Sequence, residues 1–473
     1  MPALAPPADI VPARMDLTEH PASGAPATVD VVLLSTYELG RQPFGLASPV
    51  AWLREAGLSV APQDLAVHEL DPIPVRQAAV VGIFVPMHTA TRLAEPLLGR
   101  VRALNPAAHI VVYGLYGPLN RDRLLALGAD TVLGGEFEAG LLEVCRRVVA
   151  GHAAPDLPVV SLERLSFRVP DRTGLPGLDR YAGIVIDGER RTAGSTEASR
   201  GCKYRCRHCP IVPVYDGTFR IVAPEVVMAD IAAQVGAGAR HITFGDPDFL
   251  NGPAHAMRVA RALHDAFPEV TYDVTIKVEH LLRNEGLLPD LAETGCVLVT
   301  SAVESFDDRV LTLLDKGHTA ADVAAAVDAT RAAGLALNPT FVAFTPWTTL
   351  DGYAGFLLRI ASLGLVGAVS PIQYGIRLLV TAGSKLLDLD DITALVDAFD
   401  EAGLVYPWRH PDPAVDRLQQ RIMATVERAG KADAPRAEVF AAVWEAAGAG
   451  PLPPFDEARP DITVPYLTEP WYC

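Results

Sequence analysis

Three of the six cysteines in this 473-residue chain fall within eight positions, Cys202-Lys203-Tyr204-Arg205-Cys206-Arg207-His208-Cys209, a C-x3-C-x2-C spacing. Three thiolates on one short loop can hold three irons of a cubane iron–sulfur cluster, which ordinarily takes four cysteine ligands. The nearest other cysteines are Cys145 and Cys296, so one iron is left for a ligand from outside the protein. Structural zinc and unligated thiols are the competing uses. Zinc asks for four closed ligands, usually two separated pairs; His208 could be the fourth, but beside Cys209 it would crowd a tetrahedron. A disulfide framework belongs to small oxidised scaffolds. This chain is long, and its start, Met1-Pro2-Ala3-Leu4-Ala5-Pro6-Pro7, has neither the charged nor the apolar region of a secretory leader.

The rest of the chain alternates short apolar runs with amphipathic stretches, the pattern of α/β layers. Residues 1–28, rich in Pro and Ala, are expected to be a flexible arm. Residues 29–150 predict a doubly wound parallel sheet, with strands at 31–34, 80–85, 110–114 and 131–133 and helices at 49–56 and 91–104. Ligands of such sheets bind beyond the carboxyl ends of the strands, where Ser35, Thr36, Met87, His88, Gly114 and Gly117 stand. Residues 151–192 read as an irregular connector. Residues 193–385 predict six strands, at 196–199, 241–244, 271–278, 296–303, 335–344 and 369–377, with helices between them. Residues 386–473 predict a small helical domain, with helices at 392–402 and 413–428, and a tail.

The formal charge of −17 argues against a nucleic-acid surface, which needs clustered Lys and Arg. No apolar run approaches the roughly 20 residues that cross a bilayer. A soluble, cytoplasmic protein in a reducing compartment is expected, with no nucleic-acid or membrane partner.

The cysteine spacing, directly after Ser195-Thr196-Glu197-Ala198-Ser199-Arg200, resembles the radical S-adenosylmethionine (SAM) superfamily. That resemblance implies a 4Fe-4S cluster on Cys202, Cys206 and Cys209, with SAM on the open iron, and a partial six-stranded (βα)6 barrel. It also implies an external electron donor of flavodoxin or ferredoxin type. Barrel chemistry sits at the carboxyl ends of the strands. There Gly245-Asp246-Pro247 resembles the family's Gly-Gly-Glu-Pro-like segment, which places Asp246 on the SAM ammonium; Asp248 or Asn251 could equally cap the next helix. Glu304 and Ser305 resemble a V-E-S-G-like segment contacting SAM, with Phe306 for the usual Gly, and Lys316 looks like the basic residue facing its carboxylate. His208 and Asn338 complete the cofactor-binding candidates. Lys277 and Glu279, placed on one face by strand alternation, are catalytic candidates whose bland alternative is a rim salt bridge. Trp347, Gln373 and Arg377 are pocket candidates.

Residues 29–150 resemble the cobalamin-binding, Rossmann-like domain of one radical SAM class. The usual D-x-H-x-x-G motif is missing, since the chain reads Tyr37-Glu38-Leu39-Gly40-Arg41, so cobalamin is expected, if bound, without a lower histidine; His88 is a candidate contact. The end, Thr468-Glu469-Pro470-Trp471-Tyr472-Cys473, resembles a CUAEP/CCAEP-tail radical SAM subgroup. Cys473 is thus a third catalytic candidate, and the natural product is expected to continue through selenocysteine. The implied activity is modification of a small molecule, by cobalamin-type methyl transfer or a related radical reaction. The alternatives are 3-amino-3-carboxypropyl transfer to a thiophilic centre such as trivalent arsenic, and a non-catalytic cobalamin or iron–sulfur sensor.

Overall fold

The structure, a computed structural model, describes residues 29–455 and 464–468. The arm at 1–28 and the tail cysteine Cys473 lie outside the described residues. Two sheets organise the chain, the first parallel and the second parallel but for an antiparallel edge, each made where β-branched runs are bounded by Gly, Pro or Asp.

The first sheet has the order β2-β1-β3-β4-β5-β6, all parallel. Its strands are β1 (Val31–Ser35), β2 (Val60–Asp64), β3 (Val80–Phe84), β4 (His109–Tyr113), β5 (Thr131–Gly135) and the two-residue β6 (Val160–Ser161). β1 and β3 are buried along their whole length, as strands covered by helices on both faces must be. Two expectations change. β2, Val-Ala-Pro-Gln-Asp, was not anticipated as a strand; Pro62 cannot donate to a ladder, which confines such a strand to the sheet edge where it sits. The first helix runs Phe44–Glu55 and holds Pro49 in its interior rather than starting there. The carbonyl of Gly45, which Pro49 leaves without a helical donor, accepts the Tyr113 hydroxyl at 3.0 Å.

The expected connector is not wholly irregular. β7 (Gly183–Ile186) and β8 (Glu189–Thr196) form a hairpin around Asp187 (φ 50°) and Gly188 (φ 80°), the two positive φ values of a type I′ turn. The second sheet continues from β8 through parallel β11 (His241–Phe244), β12 (Thr271–Thr275), β13 (Cys296–Glu304) and β14 (Ala336–Phe341). Between β8 and β11 lies a small antiparallel pair, β9 (Ser199–Gly201) with β10 (Phe219–Ile221). The first barrel strand therefore ends at Thr196, and Ser199 belongs to that pair. At the sixth position, Pro371 and Gly375 interrupt strand geometry: Pro371–Tyr374 is a 3-10 turn, and one parallel bridge, Phe344 to Arg377, closes the sheet. β15 (Tyr466–Leu467) adds an outer antiparallel strand on β7.

One hydrophobic core runs from the barrel helices to Val415, Leu418, Ile422, Phe440 and Trp444. These come from helices Pro413–Lys431 and Arg436–Ala447, of which the second was not anticipated. The expected helix at 392–402 is only Asp390–Thr393, followed by bridged segments at Val396–Trp408 and Asp400–Val405. That segment reaches the first sheet's domain, with His88 Nε2 2.7 Å from the Gly403 carbonyl and Arg123 2.8 Å from Glu401. No helix among the described residues is long and apolar enough to cross a membrane.

Candidate active site

The cysteine loop leaves the carboxyl end of β8, and the β9–β10 pair staples its two ends together. Gly201 (φ 72°) sits where a Cβ would come within 2.4 Å of the Tyr215 ring and 2.5 Å of the Thr218 carbonyl, so only glycine allows the chain to turn into Cys202. Within the loop, the Cys209 N–H donates to the Cys206 carbonyl at 3.1 Å. The Arg207 N–H donates to the Leu314 carbonyl at 2.9 Å, and its guanidinium to the carbonyls of Thr312 and Leu313. The Asn251 side-chain oxygen accepts the Lys203 N–H at 3.3 Å and lies 3.8 Å from Cys202 Sγ. All three thiols are free. Burial pushes the Cys209 thiol up to about 12 and the Cys202 thiol upward as well, so the metal-free site holds protons that a thiophilic metal would displace. Among the described residues no three His, Cys, Asp or Glu side chains converge on a single ion position. Three soft donors spread over one loop suit a larger polynuclear group.

Two charge clusters flank this loop. On one side, Glu304 Oε1 lies 3.0 Å from His208 Nε2 and 3.3 Å from Lys316 Nζ. Burial disfavours the Glu304 charge, but Lys316 and His208 outweigh it and hold the carboxyl at about 2. The β13–β14 register shifts between Ala302 and Glu304, and Glu304 takes φ 68°, a conformation that costs a non-glycine residue roughly 1–3 kcal/mol. Three expected residues are thus brought together at a strained strand end. On the other side, Lys277 Nζ lies 3.3 Å from Glu279 Oε2 and 3.5 Å from the centre of the Tyr204 ring. Strand alternation is not what pairs them. β12 ends at Thr275, Lys277 is the N-cap, and Glu279 lies in helix Val278–Arg283, where Val278, Leu281 and Leu282 follow helical spacing. His280, edge-on to Tyr204 at 5.0 Å, has Nδ1 2.6 Å from Asp248.

Asp246 is 2 % exposed and accepts from the Ala198 N–H at 2.8 Å and the Ser199 hydroxyl at 2.5 Å. Burial pushes its carboxyl up to about 7, against the pull of these two bonds. It therefore braces the segment that enters the loop, and Asp248 caps the following turn through the Leu250 N–H. Ser305 Oγ accepts the Asp307 N–H, and Asn338 donates to Thr300 Oγ1 at 3.2 Å. The remaining pocket candidates serve packing: Gln373 accepts the Phe341 N–H, Arg377 stacks on Trp408 and pairs with Asp416, and Trp347 donates to Asp391.

A cavity of about 480 Å³ opens where the carboxyl ends of both sheets face each other. Phe84, Met87, Leu115 and Phe137 line it from the first sheet, and Thr196, Gly245–Pro247, Thr275 and loop residue Ile211 from the second. Glu38 lines it too, with burial pushing its carboxyl up to about 8. The two halves are joined by Arg200, a residue the sequence reading missed. Its guanidinium is buried at 2.7 Å from Glu138, 3.3 Å from Glu136 and 2.7 Å from Glu197. No local pattern marks it, because two of its partners lie over sixty residues upstream.

Residues 196–347 match the family described as the Radical SAM superfamily. Among curated proteins the chain is similar to the hopanoid C-3 methylase of Methylococcus capsulatus, 24 % identical over 229 residues. That stretch covers 46 % of this chain and 43 % of the methylase, so the chain spans less than half of this relative's length. Among solved structures it is similar to the cobalamin-dependent SAM radical enzyme OxsB, with a TM-score of 0.65 and 15 % identity over 84 % of this chain and 67 % of that one. It is also similar to the radical SAM methyltransferase TsrM from Kitasatospora setae, with a TM-score of 0.58 and 16 % identity over 71 % of each chain. The fold is therefore the one these two solved structures share, and residues 196–347, which hold the cysteine loop, form a radical SAM domain.

Proposed function

We propose that this chain is a radical SAM enzyme, most simply a transferase, that modifies a small molecule held between its two sheets. The observation that carries this reading is a cavity lined by Pro210, Ile211 and Tyr215 of the cysteine loop, by the ends of β8, β11 and β12, and by the ends of the first sheet's strands. Cys202, Cys206 and Cys209 would hold a 4Fe-4S cluster, which would supply the one electron that reductive cleavage of a sulfonium needs. Gly245–Pro247 lines the adjoining wall, and Asp246, already accepting two bonds, keeps lone pairs for a cationic amine. Glu304 and Lys316, which pair with each other at 3.3 Å outside the lining of that cavity, would offer opposite charges to the amino-acid end of SAM once that pair opens. The apolar walls at Phe84, Met87, Leu115 and Phe137 exclude water, which a reactive carbon radical requires.

The proposal extends to the domain division at 29–150, 151–192, 193–385 and 386–473, to cytoplasmic location, and to a flavodoxin- or ferredoxin-type donor. Cobalamin, which would supply a methyl carrier, suits the apolar wall of the cavity and the strand ends of the first sheet. No histidine follows β1 to bind its metal, since that loop offers Glu38 and Arg41 instead. Protein purified and reconstituted without oxygen, then treated with dithionite and SAM, is expected to release 5′-deoxyadenosine or methylthioadenosine. Cobalt content, measured on the same sample, reports the second cofactor. Four irons per chain with SAM left intact would overturn the enzymatic reading.

A further inference from the structure

Lys277 looks like a catalytic lysine by its place after a barrel strand, yet it does not line the cavity. It is 7 % exposed, and its ammonium is committed to the Tyr204 ring at 3.5 Å and to Glu279 at 3.3 Å. Glu279 also binds the exposed Arg283 at 2.5 Å, so two cations share one carboxylate. Tyr204 is midway between Cys202 and Cys206, which makes its ring the handle of the loop's first half. That ring is contacted from two directions, by Lys277 over its face and by His280 at its edge, and Asp248 lies 2.6 Å from His280 Nδ1. The turn at Gly317 (φ 73°) passes so close that a Cβ there would lie 2.7 Å from Glu279 Oε2 and 3.4 Å from Lys277 Nζ, which locks the pair against the loop.

Resting on the cluster assignment above, we infer that Lys277 is a positioning residue of the cysteine loop. Its ammonium clamps Tyr204 and, as a fixed positive charge over a ring two residues from Cys202, would raise the reduction potential of a cluster held by the loop. Reduction adds one electron from an external one-electron reductant and hence one negative charge to the cluster, so a nearby cation favours the reduced form. The face of an aromatic ring attracts a desolvated ammonium, which keeps that charge in place.

The test is a potentiometric titration of the reconstituted full-length protein, followed by the magnetic resonance signal of the reduced cluster, without SAM or substrate. Iron and sulfide are counted on each sample. In K277M the reduced-to-oxidised ratio at a fixed solution potential is expected to fall about tenfold, equivalent to about 59 mV for a one-electron couple. K277R, which keeps a cation over the ring, is expected to stay near the wild-type midpoint. Y204L should lower the midpoint, and adding K277M to it should lower it by less than K277M does alone. A full cluster in K277M at the wild-type midpoint overturns the inference. Should K277M fail to hold four irons, K277R decides: a full cluster at wild-type potential upholds the assignment, and an empty loop overturns it. Absence of iron from the wild-type protein would instead sink the cluster assignment itself.

Discussion

Replacing Glu304 by glutamine removes the one anion shared by His208 and Lys316 while keeping the side chain's shape. The wild-type carboxyl is held at about 2 against an ordinary 4.5, a difference corresponding to about 3 kcal/mol at neutral pH. The folded value is the lower one, so this stabilisation is fully present above the ordinary 4.5 and is lost as pH falls through about 2. Lys316 is 3 % exposed, and a buried cation stripped of its partner costs a similar 3–5 kcal/mol or so. E304Q is therefore expected to be about 3 kcal/mol less stable at pH 7, a fall of ~1 M in urea midpoint at a slope of about 3 kcal/mol/M. The gap from wild type should narrow once pH drops below 4.5. A second pair of variants separates charge from backbone. Alanine and glycine both delete the carboxylate, but glycine also relieves the φ of 68°, which costs other residues about 1–2 kcal/mol. E304G should therefore unfold at higher urea than E304A. The assay is urea unfolding of the metal-free protein followed by tryptophan fluorescence. A loss in E304Q below ~0.5 kcal/mol, the scale of an inert surface change, would refute the account, as would E304A outlasting E304G.

Asp246 should show the opposite pH dependence. Its folded value, about 7, is raised above the ordinary 3.8, so the native state holds the proton more tightly and stability falls as pH rises from 3.8 through 7. D246N, measured by urea midpoint at pH 5 and pH 8, should flatten that slope, and an unchanged slope would contradict the assignment. R200M leaves Glu136, Glu138 and Glu197 without their shared cation and is expected to lose at least 3–5 kcal/mol or so. In calorimetry it should unfold at lower temperature, with the two sheets melting apart. Alanine at any one of Cys202, Cys206 or Cys209 should reduce bound iron several-fold after identical reconstitution, whereas C145A, in the first sheet's core, should leave iron content unchanged.

Much of the architecture was legible from local pattern. Strands such as β3 and β4 are uninterrupted runs of Val, Ile and aromatic residues, which fit only a buried sheet position. The cysteine triplet was legible for a chemical reason, since soft ligands that close in sequence are close in space in any fold. Where the reading slipped, a stronger local rule was at work. The Asp187-Gly188 turn signal went unused inside a Pro-rich stretch, Pro62 hid an edge strand, and Pro371 replaced a sixth strand by a turn. At Lys277 and Glu279 the residues were rightly paired for the wrong reason, because a helix begins where the strand was expected to continue.

What the chain alone determined is three thiols on one loop, two α/β layers to carry them, and strand ends that open on a cavity. What tertiary structure alone decided is the company those donors keep. Arg200 finds Glu136 and Glu138 across the two sheets, Glu304 is turned by a register shift toward His208 and Lys316, and Lys277 lies over Tyr204 instead of facing the cavity. Each of these contacts joins residues at least sixty apart, except the Lys316–Glu304 pair. Their geometry depends on how helices and sheets pack, which no periodicity along the chain encodes.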